Sequence, residues 1–194
     1  MLATLRHVAQ LLNREGITWA IGGGIALSVW DHPRFTKDAD FLIDVNGRDI
    51  AAILVAFQAA GLRPKRYPML ITVDGQRFAQ FLYKPEDTDF DIQVDFIFAE
   101  QSYQRQALSR RLATEFSEWH VDAFVLSCED LIIFKLVAGR IIDRADATAL
   151  LRANGDRIDF SLLRRESRAL KLSDDLARIW EEAFPNTNLP GSDA

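Results

Sequence analysis

The pattern that most constrains this chain is a glycine turn followed by two aspartates set one residue apart. Ile21-Gly22-Gly23-Gly24 leads to Pro33-Arg34-Phe35-Thr36-Lys37-Asp38-Ala39-Asp40, and the apolar run Phe41-Leu42-Ile43 follows directly. That run predicts a strand over Ala39–Val45, and alternate residues of a strand face the same way. Asp38 and Asp40 therefore share a face. Two carboxylates held side by side repel each other unless a cation sits between them. The pair asks for a metal ion, and the glycines ask for a ligand that the backbone must approach closely.

Hydrophobic periodicity predicts the elements around this pattern. Leu2, Leu5, Val8, Leu11 and Leu12 recur at helical spacing up to Gly16. Ile17–Ile21 reads as a short strand, Ile25–Trp30 as a short helix, and Asp49–Ala60 as a helix closed by Gly61. Met69–Val73 and Arg77–Tyr83, joined through Asp74-Gly75, read as a hairpin, and Val121–Leu126 as a further strand. Four helices follow, over Glu129–Gly139, Ile142–Ala153, Phe160–Leu170 and Asp174–Phe184. The expectation is an α+β fold, a mixed sheet flanked by helices. A core over 1–126 would precede a helical part over 127–184 packed on it and a mobile tail over 185–194.

A second carboxylate strand lies downstream. Phe90-Asp91-Ile92-Gln93-Val94-Asp95-Phe96-Ile97 alternates strictly, with Asp91, Gln93 and Asp95 on one face. Alone, such a strand is most simply half-buried with a wet side. Beside an Asp-x-Asp pair it offers a third oxygen ligand, and three carboxylates with substrate phosphates suit Mg²⁺. Asp95, flanked by Val94 and Phe96, is the preferred third ligand; Asp91, nearer an acidic turn, is held in reserve.

Composition narrows the classes. The 194 residues are 48% apolar, enough for one substantial domain. A net charge of −5 argues against a general nucleic-acid binder, although a local basic site is compatible with it. Cys128 is the single cysteine, so there is no disulfide framework or zinc cluster, and His7, His32 and His120 lack metal-ligand spacing. The first residues lack a signal-peptide core and no apolar run approaches membrane-spanning length, so the expected setting is the cytoplasm, without a membrane partner.

The glycine turn, the Asp38-Ala39-Asp40 strand start and the later Asp95 resemble the nucleotidyltransferase superfamily, whose fold is shared with DNA polymerase β. Gly23-Gly24…Pro33-Arg34-Phe35-Thr36-Lys37-Asp38-Ala39-Asp40 and the segment Asp130–Asp146, with Lys135 followed by Arg140, Asp143, Arg144 and Asp146, resemble a bacterial branch. That branch contains AbiEii-type toxins and antibiotic nucleotidyltransferases. The resemblance covers roughly residues 17 to 150. It implies an enzyme in which Asp38, Asp40 and Asp95 hold two Mg²⁺ ions and Gly23 and Gly24 present backbone N–H groups to a nucleoside triphosphate. A nucleoside monophosphate would pass to a hydroxyl acceptor (a small molecule, a tRNA end or a protein) with release of pyrophosphate. One departure stands out: many relatives carry Gly-Ser where this chain has Gly23-Gly24, which removes a hydroxyl able to hold a phosphate.

Cations complete the candidate site. Lys135 is the sole charge between Leu131 and Gly139, and a buried ammonium is costly unless paired. It either snorkels to solvent or aims at the acidic site or the phosphates; the Ser127-Cys128-Glu129-Asp130 cap that fixes its helix favours the second. Arg34 and Lys37 either bind phosphates or offset nearby carboxylates. Arg140, Asp143, Arg144 and Asp146 fit a helix-surface ion-pair group, and the four tryptophans fit the core or its rim. A Walker-type or dinucleotide-binding reading of the glycines fails for want of the lysine or the G-x-G-x-x-G spacing. A rival reading is a protein that keeps the transferase fold but works by binding, as a toxin–antitoxin component or regulatory partner.

Overall fold

The computed structural model describes residues 1–73, 75–86, 88–115 and 122–191. The chain divides into two compact units, Met1–Ile25 with Phe35–Leu126, and Ala26–Arg34 with Ser127–Ala194. The architecture is mixed α/β.

In chain order the first unit contains α1 (Leu2–Arg14) and β1 (Thr18–Ile21), followed by the start of α2 (Gly23–Val29), whose later residues belong to the second unit. It continues with β2 (Asp38–Asp44), α3 (Ile50–Ala59), β3 (Arg63–Pro64), β4 (Leu70–Val73), β5 (Gln76–Tyr83), β6 (Ile92–Phe98), α4 (Ser102–Ser109), β7 (Leu112–Glu115) and β8 (Asp122–Val125). The strands form one mixed sheet in the order β3-β5-β6-β2-β1-β8-β7, with β4 paired to β5. Alternation sorts its two faces. On β6, Ile92, Val94, Phe96 and Phe98 are buried while Gln93, Asp95 and Ile97 are half-buried. The apolar face carries an aromatic cluster. Phe96 lies 4.5 Å from Phe57 of α3 and 5.9 Å from both Phe41 and Phe81, ring centre to ring centre. Burying each such ring contributes about 1.5–3 kcal/mol, which makes this cluster the anchor that sets the strand register.

Local signals account for the element ends. The Asp49 side chain accepts the Ala51 N–H at 3.0 Å and starts α3. Val73 pairs with Gln76, which leaves a two-residue connection between β4 and β5; Gly75 there has φ +76°, as such hairpins demand, and Asp74 lies outside the described residues. Three elements have little signature in sequence. β3 has two residues, β7 is a short edge strand whose Leu112 is exposed, and α4 buries Gln104 where a periodic apolar residue would normally sit. Val121, Trp119 and His120 lie outside the described residues.

The second unit contains α5 (Cys128–Ala138), α6 (Ile141–Asn154), α7 (Phe160–Ala169) and α8 (Ser173–Ala183). Ser127 Oγ accepts the Asp130 N–H at 3.1 Å and starts α5, and Gly139 in the left-handed region at φ +65° ends it. Among the polar side chains that its interior buries are Lys135, Asp143 and Asp146. Asp143 and Asp146 are 1% and 2% exposed, which corrects their expected place in a surface ion-pair group: both point inward, where Lys135 meets them. Trp19 and Trp180 are buried, as a core role requires. In the tail, the carbonyls of Thr187 and Pro190 accept bonds from Trp180 and Arg164 at 3.0 and 2.9 Å; the last three residues lie outside the described set. Among the described residues, no helix is long and apolar enough to cross a membrane.

Candidate active site

The first unit assembles its candidate residues through backbone register. β2 and β6 run parallel, with Asp40 opposite Asp95 and Asp38 opposite Gln93. Gln80 of β5 lies opposite Asp95 from the other side, and Gly22 N–H donates to the Asp40 carbonyl at 2.9 Å. Gly22, Asp40, Asp95 and Gln80 thus form one row across the sheet, with Asp38 and Gln93 in the neighbouring row. Residues paired across strands project from the same face, so three carboxylates gather on the polar side. Asp91 precedes β6 and its carboxylate is held by Arg63 at 2.5 Å.

Gly23 closes one side of this row. Its φ of +54° favours glycine, and a Cβ there would overlap Asp40 Oδ2 and come within 2.9 Å of Asp40 Cβ. Even alanine displaces the aspartate. Gly24 is buried, and a Cβ on it would stand 2.8 Å from Thr36 Cβ and 3.0 Å from Thr36 Oγ1. Thr36 in turn donates to the Asp38 carbonyl at 3.1 Å, and its Oγ1 lies 3.4 Å from the Asp38 N–H. The glycine turn and the Asp-x-Asp strand are therefore fitted to each other side chain against backbone.

Asp95 has neutral partners. Gln80 Nε2 lies 3.2 Å from both carboxylate oxygens, and Gln93 Nε2 lies 2.9 and 3.0 Å from them. Lys65 donates to Gln93 Oε1, which fixes that amide with its N–H groups toward Asp95. Burial raises the Asp95 pKa; the two amide bonds and Lys65 oppose the rise and the Asp38 charge adds to it. Among the described residues, no group of three or more His, Cys, Asp or Glu side chains is already arranged to hold a metal. The donors nevertheless suit a hard divalent cation, being carboxylate oxygens on one face with no sulfur or imidazole among them. Both Asp95 oxygens are engaged by its glutamines, so ligation by Asp95 requires that it exchange those amide bonds.

The cations fall into different places. Lys37 is exposed in the loop before β2. Arg34 and Lys135 belong to the second unit, where both reach Asp146. Arg34 Nε is 3.5 Å from Asp146 Oδ1, and Lys135 Nζ is 2.7 Å from Asp146 Oδ2 and 2.9 Å from Asp143 Oδ1. His32 Nε2 is 3.4 Å from Asp146 Oδ1, and Arg140 Nε is 2.5 Å from Asp143 Oδ2. Burial pushes the Asp143 pKa up, but the bonds from Arg140 and Lys135 outweigh it and hold it below the usual carboxylate range. Sequence reasoning did not find Gln80, Lys65 or His32. Gln80 is recognisable only once β5 is known to pair with β6 in this register.

The match to a family model is decisive. Residues 10–185 match the model described as "Nucleotidyl transferase AbiEii toxin, Type IV TA system". The chain belongs to the AbiEii nucleotidyl transferase family. No curated protein matches it by sequence. Its fold is similar to that of an antigenic nucleotidyltransferase-like protein from Paracoccidioides brasiliensis, with a TM-score of 0.51 and 18% identity over 95% of this chain and 97% of that one. It is also similar to the antibiotic-resistance factor ANT(2'')-Ia, with a TM-score of 0.51 and 14% identity over 91% of this chain and 96% of that one. This chain thereby shares its fold with a nucleotidyltransferase-like protein and an antibiotic-resistance factor.

Proposed function

We propose that this protein is a Mg²⁺-dependent nucleotidyltransferase of the cytoplasm. It would transfer a nucleoside monophosphate from a nucleoside triphosphate to a hydroxyl acceptor and release pyrophosphate. The observation that carries the reading is the row Gly22–Asp40–Asp95, in which two carboxylates from adjacent parallel strands meet a turn whose next residue, Gly23, leaves no room for a Cβ beside Asp40. Asp38, Asp40 and Asp95 would hold the two ions, with Asp95 preferred over Asp91 because Arg63 already engages Asp91. When bound, Mg²⁺ would neutralise the triphosphate and acidify the attacking hydroxyl.

The chain's own groups would do the rest. Backbone at Gly23 and Gly24 would come within hydrogen-bonding reach of the triphosphate because neither residue carries a side chain there. Asp95, whose burial raises its proton affinity, suits temporary acceptance of the acceptor's proton. Lys37 would contact phosphate oxygens directly. Arg34 and Lys135 could do so only by leaving Asp146. The acceptor would be a small hydroxylated molecule, a tRNA end or a protein hydroxyl.

Calorimetry with Mg²⁺ and each nucleoside triphosphate, comparing wild type with Asp38→Asn/Asp40→Asn, tests the reading. Nucleotide affinity that requires metal and vanishes in the double variant supports it; affinity absent from wild type, or indifferent to metal and both substitutions, ends it. Label transfer to a panel of acceptors, read by mass spectrometry, would then identify the product. A second reading is a binding role without turnover, as the toxin-side member of a toxin–antitoxin pair. It is favoured by the engagement of both Asp95 oxygens with glutamine amides. Metal-independent capture of a protein partner by the double variant would select it.

A further inference from the structure

We infer that Gln80 and Gln93 are positioning residues that withhold Asp95 from the metal site until a cation on Asp38 and Asp40 displaces them, and that Lys65 and Arg66 lock them in that role. This rests on the nucleotidyltransferase reading above and gives its site an order of assembly. Asp95 is gripped from two directions. Gln80 lies opposite it on β5, and Gln93 precedes it by two residues on β6, so both share its face. Gln80 Nε2 is 3.2 Å from each Asp95 oxygen, and Gln93 Nε2 is 2.9 and 3.0 Å from them. A nitrogen equally distant from two carboxylate oxygens lies in the plane that bisects them, and a bidentate cation needs that same plane. The amides thus stand across the approach to Asp95.

Neither amide is free to turn over. An ionised carboxylate only accepts, and lysine and arginine only donate, so an amide between them must aim its N–H groups at the aspartate and its oxygen at the cation. Gln93 Oε1 accepts from Lys65 Nζ, and Gln80 Oε1 accepts from Arg66 Nη2 at 2.6 Å. The sheet itself places the first anchor: the Lys65 N–H donates to the Gln80 carbonyl at 2.9 Å and extends the β3–β5 pairing by one residue. An unanchored glutamine could flip and offer its carbonyl oxygen, a group that hard divalent cations accept. The two exposed cations prevent this, and their charge stops one amide short of Asp95. A guanidinium directly on Asp95 would satisfy it outright, as Arg140 does for Asp143. Neutral N–H donors hold the carboxylate in place, yet a divalent ion attracts it more strongly than they do.

Titration of the full chain with Mn²⁺ alone, read by calorimetry, tests the assignment. Gln80→Leu/Gln93→Leu should tighten Mn²⁺ about tenfold, the scale on which groups bonded to metal ligands act. Adding Asp95→Asn to that variant should cancel the gain, whereas Asp95→Asn in wild type should change the affinity about twofold or less. Lys65→Met/Arg66→Met, confined to exposed residues, should tighten Mn²⁺ about threefold, again only while Asp95 is present. It carries the test alone if urea unfolding shows that the glutamine variant does not fold. A gain in either variant that Asp95→Asn cancels supports the assignment. Affinity unchanged or weakened in the folded variants, a gain that persists without Asp95, or a loss of about tenfold in wild type on Asp95→Asn alone overturns it. In each of those cases, Mn²⁺ binding that depends on Asp38 and Asp40 leaves the nucleotidyltransferase reading standing. No Mn²⁺ binding by wild type or by any variant removes both.

Discussion

The two units each gather carboxylates, and they treat them in opposite ways. In the second unit Asp143 and Asp146 are almost sealed from solvent, and four basic residues (Lys135, Arg140, His32 and Arg34) face them. In the first unit, among the described residues, Asp95 receives glutamine amides and no full positive charge directly, and Asp38 and Asp40 lie on the same sheet face. The consequence shows in proton affinity, which is lowered at Asp143 and raised at Asp95. A carboxylate whose charge is balanced internally serves the fold. One left with neutral donors would, in the proposed function, hold its charge in reserve for a ligand that arrives from outside.

The largest effect should come from the Asp-x-Asp pair of the first unit. Asp40→Asn is expected to lower nucleotidyl transfer by about 100-fold or more while the thermal midpoint changes little; a variant that loses activity only because it unfolds would blur the contrast. Lys135→Met should do the reverse. Removing one partner of a buried ion pair destabilises by about 3–5 kcal/mol, because the remaining carboxylates stay buried, and urea unfolding would measure it. If Lys135→Met instead left stability intact and abolished nucleotide binding, the division between balanced and reserved charge would fall.

The acid limb of stability separates the two aspartates by sign. Asp143 has a folded-state pKa below its unfolded value, so its contribution is present above about pH 4 and is lost as pH falls through the folded value. Asp143→Asn should lower stability near neutrality and flatten that loss. Asp95 is shifted upward, so its ionised form weakens the fold above its folded-state pKa. Asp95→Asn should therefore raise neutral-pH stability, read by urea unfolding, while removing activity, a common trade at functional sites. Equal signs for the two variants would break the comparison. The smallest expected effect is at Lys65, which touches Asp95 only through Gln93: Lys65→Met should change kcat by about threefold or less and leave stability within 0.5 kcal/mol or so, as exposed polar pairs usually do.

Much of this was legible in sequence where one physical rule dominated. Strict alternation from Ile92 to Phe98 gave β6 its two faces, and the Ser127 and Gly139 caps bracketed α5. Where tertiary context decides, legibility ended. The partnership of Asp40 with Asp95 needs the parallel β2–β6 register, which no local pattern encodes. The inward turn of Asp143 and Asp146 was hidden because i,i+3 charges next to arginines look the same whether they face solvent or a buried lysine. α4 escaped notice because Gln104, fully buried, bonds the backbone N–H groups of Glu100 and Gln101 instead of supplying an apolar stripe.

The fit of Gly23 against Asp40 also makes two adjacent glycines unequal under mutation. At position 22 a Cβ would meet only Leu126 Cδ1 at 3.6 Å, ordinary contact, whereas at position 23 it would strike the carboxylate. A saturation library selected for function should accept Gly22→Ala and reject every letter at 23. Gly23→Ala would then serve as a null allele that keeps the protein's charge and all three aspartates in the sequence while displacing Asp40, separating the effects of a lost site geometry from those of a lost ligand.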